Sequence, residues 1–220
     1  MKFFGRKSLI NLQEINKFID LYARKDNWHN IDKRTGNLGY AWIHYSLIRI
    51  LQPKRVLVIG SQFGYIPAIC AIACRDNGKG IVDFVDAGYD YRNPDDKAHW
   101  GGKGFWKKNI VKKHFGKFGL EKYIILHIMT TQEFSKKISD RKWNYIYLDG
   151  DHSYKGIAFD FESFWPHLEK NGFVCLHDIY TRDFGDLECG VNKFWKKIKK
   201  KFSYSIELGG NCGLGIIQKI

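Results

Sequence analysis

A chain of 220 residues with 44% hydrophobic and 16% aromatic content suits one domain with a real core, which excludes a disordered polypeptide. No stretch approaches the ~20 apolar residues of a membrane helix, and the opening Met-Lys-Phe-Phe-Gly-Arg-Lys lacks the apolar segment of a secretion signal, so a cytoplasmic protein without a membrane span is expected. Thirty-six Lys plus Arg against twenty-three Asp plus Glu give +13, which favours an acidic partner such as nucleic acid, an anionic glycan or a phospholipid surface.

The first thirty-five residues, with a helix over about Leu12 to Arg24, read as an N-terminal accessory segment to a domain over 36–220. Leu38, Ala41, Trp42, Tyr45, Ile48 and Leu51 recur at helical steps and stop before Pro53. Arg55 to Ile59 is a continuous β-branched strand, and an almost wholly apolar helix over Tyr65 to Arg75 ends at Asn77-Gly78. The strand Ile81 to Val85 ends at Asp86, and a long Gly/Asp/Asn-rich loop runs from Ala87 to about Gly104. A Lys-rich helix over Phe105 to Phe118 then precedes the strand Tyr123 to Ile128, a short helix near Gln132 to Ile138 and the strand Trp143 to Leu148. Lys103, Lys107, Lys108, Lys112, Lys113 and Lys117 in that segment, with Lys196, Lys197 and Lys199 to Lys201 later, read first as solvated faces.

A crossover helix carries Ile157, Phe161, Phe164, Trp165 and Leu168 on one stripe, with Lys155, Asp160, Glu162 and Glu169 outward, and ends at Asn171-Gly172. A basic helix over Val191 to Lys201 leads to a hairpin of Tyr204 to Leu208 and Leu214 to Gln218. Alternating strands and helices closed by a hairpin imply an α/β fold, an open and mostly parallel sheet with one reversed strand near its edge. The five cysteines read as small buried hydrophobes.

Two strands end in acidic tips, Leu-Asp149-Gly-Asp151-His152-Ser-Tyr and Leu-His177-Asp178. Strands joined by a helical crossover are parallel neighbours, so Asp149, Asp151 and Asp178 converge at the sheet edge where ligands sit. They are candidates for a shared cation or a general base, or else they cap the helices that follow. His152 is a second candidate base, or a hydrogen-bonded structural histidine. Gly60-Ser61-Gln62-Phe63-Gly64 lies at the first strand-to-helix turn, where glycines admit a ligand against the backbone or serve close packing. Asp86, about twenty residues on, can accept both hydroxyls of a ribose.

These motifs, with the closing Gly-Leu-Gly-Ile-Ile-Gln-Lys, resemble the class I S-adenosylmethionine-dependent methyltransferases, and more narrowly the macrocin and sugar O-methyltransferases with their cephalosporin-hydroxylase-like cousins. The resemblance implies a seven-stranded, doubly wound Rossmann-like sheet in which the first, fourth and fifth strands adjoin. It implies S-adenosylmethionine over Gly60, Ser61, Gln62 and Gly64, its ribose on Asp86, and Met129, Thr130 and Thr131 beside the adenine, with Asp149 in the same crevice. It also implies magnesium on Asp149 and Asp178, with His177 where relatives carry another acid, and Asp151 deprotonating the acceptor. The expectation is a magnesium-assisted O-methyltransferase acting on a hydroxyl of a glycan or related small molecule. Val58 and Gln62 depart from the family pattern, which keeps open a degenerate binding module, and the charge keeps open an RNA methyltransferase of the same fold.

Overall fold

The computed structural model describes residues 11–24, 26–90, 92–93, 104–108, 111–184 and 187–220, with 111, 112, 184 and 187 described in the backbone only. Lys103 and the side chain of Lys112, both in the expected Lys-rich segment, lie outside the described residues, as does most of the loop before Gly104.

The elements in chain order are α1 (Leu12–Tyr22), α2 (Ala41–Leu51), β1 (Arg55–Ile59), α3 (Tyr65–Asn77), β2 (Ile81–Asp86) and α4 (Val111–His114). They continue with β3 (Ile124–Ile128), α5 (Thr131–Ser135), β4 (Trp143–Leu148), α6 (Tyr154–Phe164), β5 (Leu168–His177), α7 (Val191–Ile198), β6 (Ser205–Leu208) and β7 (Leu214–Gln218). The seven strands form one sheet in the order β3-β2-β1-β4-β5-β7-β6. Pairing is parallel from β3 to β5 and antiparallel from β5 to β7 and from β7 to β6, the expected Rossmann-like arrangement closed by a hairpin.

Alternation along β1 explains the two layers. Val56 and Val58 join a core with α1, α2 and α3, whereas Leu57 and Ile59 join a core with α5, α6 and α7. Every residue of α3 from Tyr65 to Cys74 is buried, so its uniform apolarity reflects a helix covered on all sides. From α1, Ile15, Phe18, Ile19 and Tyr22 enter the same core. All five cysteines are buried and free.

Three expectations are corrected. The crossover helix stops at Phe164, ahead of a 3-10 turn over Trp165–His167, and β5 already begins at Leu168. Pro166 supplies no amide donor, and its ring obstructs the preceding turn, so the helix cannot continue to Asn171. The Lys-rich segment is broken into 3-10 turns around the single turn of α4, because Phe105, Trp106, His114 and Phe115 all turn into the core. Asp160, expected to face outward, is only 1% exposed.

Asp83 on β2 ties the parallel strands together. Its buried carboxylate accepts from Arg55 of β1 (Nε 2.9 Å, Nη2 2.8 Å), His127 of β3 (3.0 Å) and Trp143 of β4 (2.9 Å). Burial alone would raise its pKa, but His127, Arg55 and Trp143 outweigh it and hold the group below the usual carboxylate range. Asp83→Ala leaves these donors facing a void and is expected to cost about 3 kcal/mol of unfolding free energy in urea at neutral pH. The wild-type advantage should shrink as pH falls below the ordinary Asp range, since a depressed folded pKa stabilises only where the unfolded group is ionised.

Asp160 presents the opposite sign. Neither of its oxygens meets a partner in ordinary hydrogen-bond geometry, and burial pushes its pKa up to about 7 against a smaller opposing contribution from the Thr131 side chain. A raised carboxyl pKa contributes stability at low pH that is lost as pH rises from about 4 through about 7. Asp160→Asn cannot ionise. Its unfolding free energy in urea should differ from the wild type least below about pH 4 and exceed it above pH 8, by roughly 1–3 kcal/mol.

Candidate functional site

The chain leaves β1 toward β2 on one side and β4 on the other, and ligands of open α/β sheets bind at such a switch point. Here the tips of β1, β2, β4 and β5 surround a cavity of about 520 Å³. Its walls include Gly60, Ser61, Gln62, Asp86, Thr130, Asp149, Asp151, His152, His177 and Asp178, so every site residue expected from the sequence lines it except Gly64.

Both glycines are required by the backbone. Gly60 has φ 74°, and a Cβ there would stand 2.0 Å from the Asp149 carbonyl oxygen, so it permits the tips of β1 and β4 to close together. Gly64 has φ 87° at the N-cap of α3, with Trp106 and Phe115 at 3.0 Å from where a Cβ would be. Close packing alone accounts for these two glycines; Ser61 and Gln62 between them remain on the cavity wall. Asp86 accepts the amides of Gly88 (2.8 Å) and Ser61 (3.2 Å), which bind the tip of β2 to that turn. Burial pushes its pKa up to about 6 against those two bonds. Thr130 caps α5, exchanging hydrogen bonds with Glu133 in a capping box, so its hydroxyl is committed to the helix.

At the tips of β4 and β5, two carboxylates and two imidazoles interlock. His152 Nε2 lies 3.1 Å from Asp149 Oδ1 and 2.9 Å from Asp178 Oδ2. His177 Nδ1 lies 3.4 Å and 3.1 Å from the same two oxygens. Asp178 adopts φ 61°, a left-handed backbone that Asp tolerates better than most residues, and this turns its carboxylate back toward Asp149. Burial opposes charge on all four groups. The carboxylates nevertheless raise His152 to about 10 and His177 well above its ordinary value, while the imidazoles hold Asp149 and Asp178 below theirs. His152 thus sits hydrogen-bonded between two acids, the alternative that its sequence reading set beside a base. Asp151 stands apart at the rim, exposed, with Oδ1 accepting the Ser153 amide at 2.9 Å, while Ser153 itself caps α6.

Several wall residues carry no readable signal in the sequence. His29 stacks on His177 with centroids 4.4 Å apart and planes 11° off parallel. Its Nδ1 is 2.7 Å from Asp26 and its Nε2 3.1 Å from the Tyr147 hydroxyl, which in turn donates to Asp149 Oδ2 at 3.1 Å. Tyr22, Arg24 and Trp28 join them at the cavity. Tyr147 lies buried on β4 behind that wall, and the wall residues themselves come from the end of α1 or the stretch after it, where no motif marks them. Tyr147 was legible only as a strand residue.

Magnesium takes an oxygen shell and keeps several waters. Asp149 Oδ1 and Asp178 Oδ2 are the oxygens that could enter such a shell, and each is shared with His152 and His177.

Residues 57–179 match a family model described as a methyltransferase domain. A curated relative, the uncharacterised protein y4gI of Sinorhizobium fredii, is 24% identical over 166 residues, which cover 72% of this chain and 17% of that protein. The chain thus spans less than a fifth of the length of the relative it matches. Among solved structures, the O-methyltransferase TomG of Streptomyces achromogenes, in complex with S-adenosylmethionine, superposes with a TM-score of 0.62 at 13% identity, over 95% of this chain and 89% of that one. An O-methyltransferase of Bacillus cereus with S-adenosylhomocysteine gives 0.59 at 14% identity, over 99% and 93%. The S-adenosylhomocysteine-bound methyltransferase PaMTH1 of Podospora anserina gives 0.64 at 16%, over 95% and 87%. At these identities the structural likeness is one of fold.

Proposed function

Because the chain belongs to the family of methyltransferase domains that its residues 57–179 match, we propose that it transfers the methyl group of S-adenosylmethionine to a hydroxyl oxygen of a small molecule, with a glycan as the acceptor class. One observation carries this reading: the glycine turn and Asp86 open into the same cavity as Asp149 and Asp151. The donor lies against residues 60–63, and its ribose hydroxyls donate to Asp86, whose two oxygens keep lone pairs beyond the amides of Ser61 and Gly88. The three structural relatives described above hold this donor or its demethylated product.

Methyl transfer is an in-line displacement. The acceptor oxygen forms a bond to the methyl carbon while the carbon–sulfur bond breaks, the sulfonium becomes a thioether, and the hydroxyl proton leaves to a base. We assign that base to Asp151, which lines the cavity outside the acid–imidazole quartet. His152 Nε2 is already enclosed by Asp149 and Asp178. Trp28, Tyr22 and Tyr89 on the wall give apolar faces beside carboxylates, a combination that suits the C–H face and hydroxyls of a sugar. The described lining contains one basic residue, Arg24, and no lysine, and Lys193, Lys196 and Lys197 of α7 face solvent, so the Lys-rich face of α7 lies away from the cavity that an RNA-modifying reading would need it to flank.

Calorimetry should show S-adenosylmethionine binding to the wild type, at least tenfold weaker binding to Asp86→Ala, and weakening as pH falls from about 8 to about 5. The last follows because protonation near pH 6 removes an acceptor from Asp86. Absence of binding at every pH would sink the methyl-donor reading and leave a degenerate module. Asp151→Asn is expected to slow turnover of a methylatable acceptor by roughly a hundredfold or more at nearly unchanged donor affinity. Undiminished turnover would remove Asp151 from the role of base.

A further inference from the structure

The strand tips stand in the order β3, β2, β1, so the cavity wall runs from Met129 and Thr130 past Asp86 to the turn over residues 60–63. Asp86 accepts the Ser61 amide at 3.2 Å, and two residues further on the Phe63 ring lies under the Arg24 guanidinium, whose carbon is 5.0 Å from the ring centroid. A donor with its ribose on Asp86 has an uncharged adenine on one side and a methionine carboxylate on the other. On the β3 side the wall is Met129, Thr130, Thr131 and Gln132, which offer that carboxylate no cation. On the β1 side it ends at Arg24. We propose that Arg24 binds the donor's carboxylate. This assignment rests on the methyl-donor reading and makes the stretch after α1, which lies outside the matched residues 57–179, a part of the donor site.

Charge narrows the choice. Asp26, Asp86, Asp149, Asp151 and Asp178 line the same cavity, and a further carboxylate set among them is repelled. The imidazoles there are already engaged: His152 and His177 face Asp149 and Asp178, and His29 Nδ1 faces Asp26 at 2.7 Å. Arg24 is the one arginine or lysine of the described lining, and among the described residues no carboxylate forms an ion pair with it. Its contact with the Phe63 ring uses the charge of the guanidinium and leaves the N–H groups for a second partner. Those groups match the two oxygens of a carboxylate. The platform beneath is fixed as well, since Phe105 meets the Phe63 ring edge-on at 5.3 Å and His114 Nε2 donates to the Phe63 carbonyl at 2.8 Å.

Calorimetry on the full-length protein compares S-adenosylmethionine with its decarboxylated form, which keeps the adenine, ribose, sulfonium and amine and lacks only the carboxylate. The wild type should bind the intact donor about tenfold more tightly. In Arg24→Gln this preference should shrink to about twofold or less, through weaker binding of the intact donor at nearly unchanged affinity for the decarboxylated one. Arg24→Lys should recover part of it, as a point charge without the paired N–H groups. A merely structural role for Arg24 weakens both compounds equally. That result overturns the assignment, as does a preference that survives in Arg24→Gln. Binding of D-glucuronate but not D-glucose by wild type saturated with S-adenosylhomocysteine, lost in Arg24→Gln, would give the residue to an acceptor carboxylate and overturn it too. Equal binding of both donor compounds by the wild type strikes Arg24 alone, whereas binding of neither removes the methyl-donor reading and this assignment with it.

Discussion

The Asp83 carboxylate is where the parallel part of the sheet is held together, because its acceptors serve Arg55 of β1, His127 of β3 and Trp143 of β4 at once. A buried acid is costly unless every lone pair is used, so this one is satisfied only when all four strands stand in their observed register. Val58 then lies beside Phe84 and Tyr147, and Ile59 beside Val85 and Leu148. The tips that follow these pairs are the walls of the cavity.

The same electrostatic problem recurs at those tips with a different solution. Asp149 and Asp178 are also withdrawn from water, yet they share two imidazoles instead of being saturated by strand neighbours. Their cluster opens on the cavity, whereas the Asp83 cluster sits within the sheet. Asp160 is a third case, buried with no partner in ordinary hydrogen-bond geometry, beneath Gly150, where a Cβ would meet its Oδ2 at 3.2 Å. One chain thus contains a saturated acid, a shared pair and an unpaired one, and only the shared pair faces space for a ligand.

Much of the architecture was legible. β-branched runs gave the strands, the apolar helix after β1 gave a covered α3, and the acidic tips of β4 and β5 gave the residues that meet. Legibility failed where burial did not follow periodicity. Asp160 reads as an outward charge at its helical position, yet α6 lies against Gly150 there. The Lys-rich stretch around Phe105 to Phe118 reads as one helix, yet its aromatics reach Phe84, Phe63 and Tyr22 from short turns. His29 and Asp26 belong to an irregular stretch, and their approach to Tyr147 spans 118 residues of sequence between His29 and that tyrosine.

By itself the amino-acid order determined the class of fold and which strands carry acids at their ends, because strand hydrophobicity and turn chemistry are local properties. Tertiary structure alone decided that His152 and His177 insert between Asp149 and Asp178, and that the segment after α1 completes the wall. Those are matters of distance between atoms far apart along the chain, and side chains converge only after strand register and backbone turns such as that at Asp178 have been set.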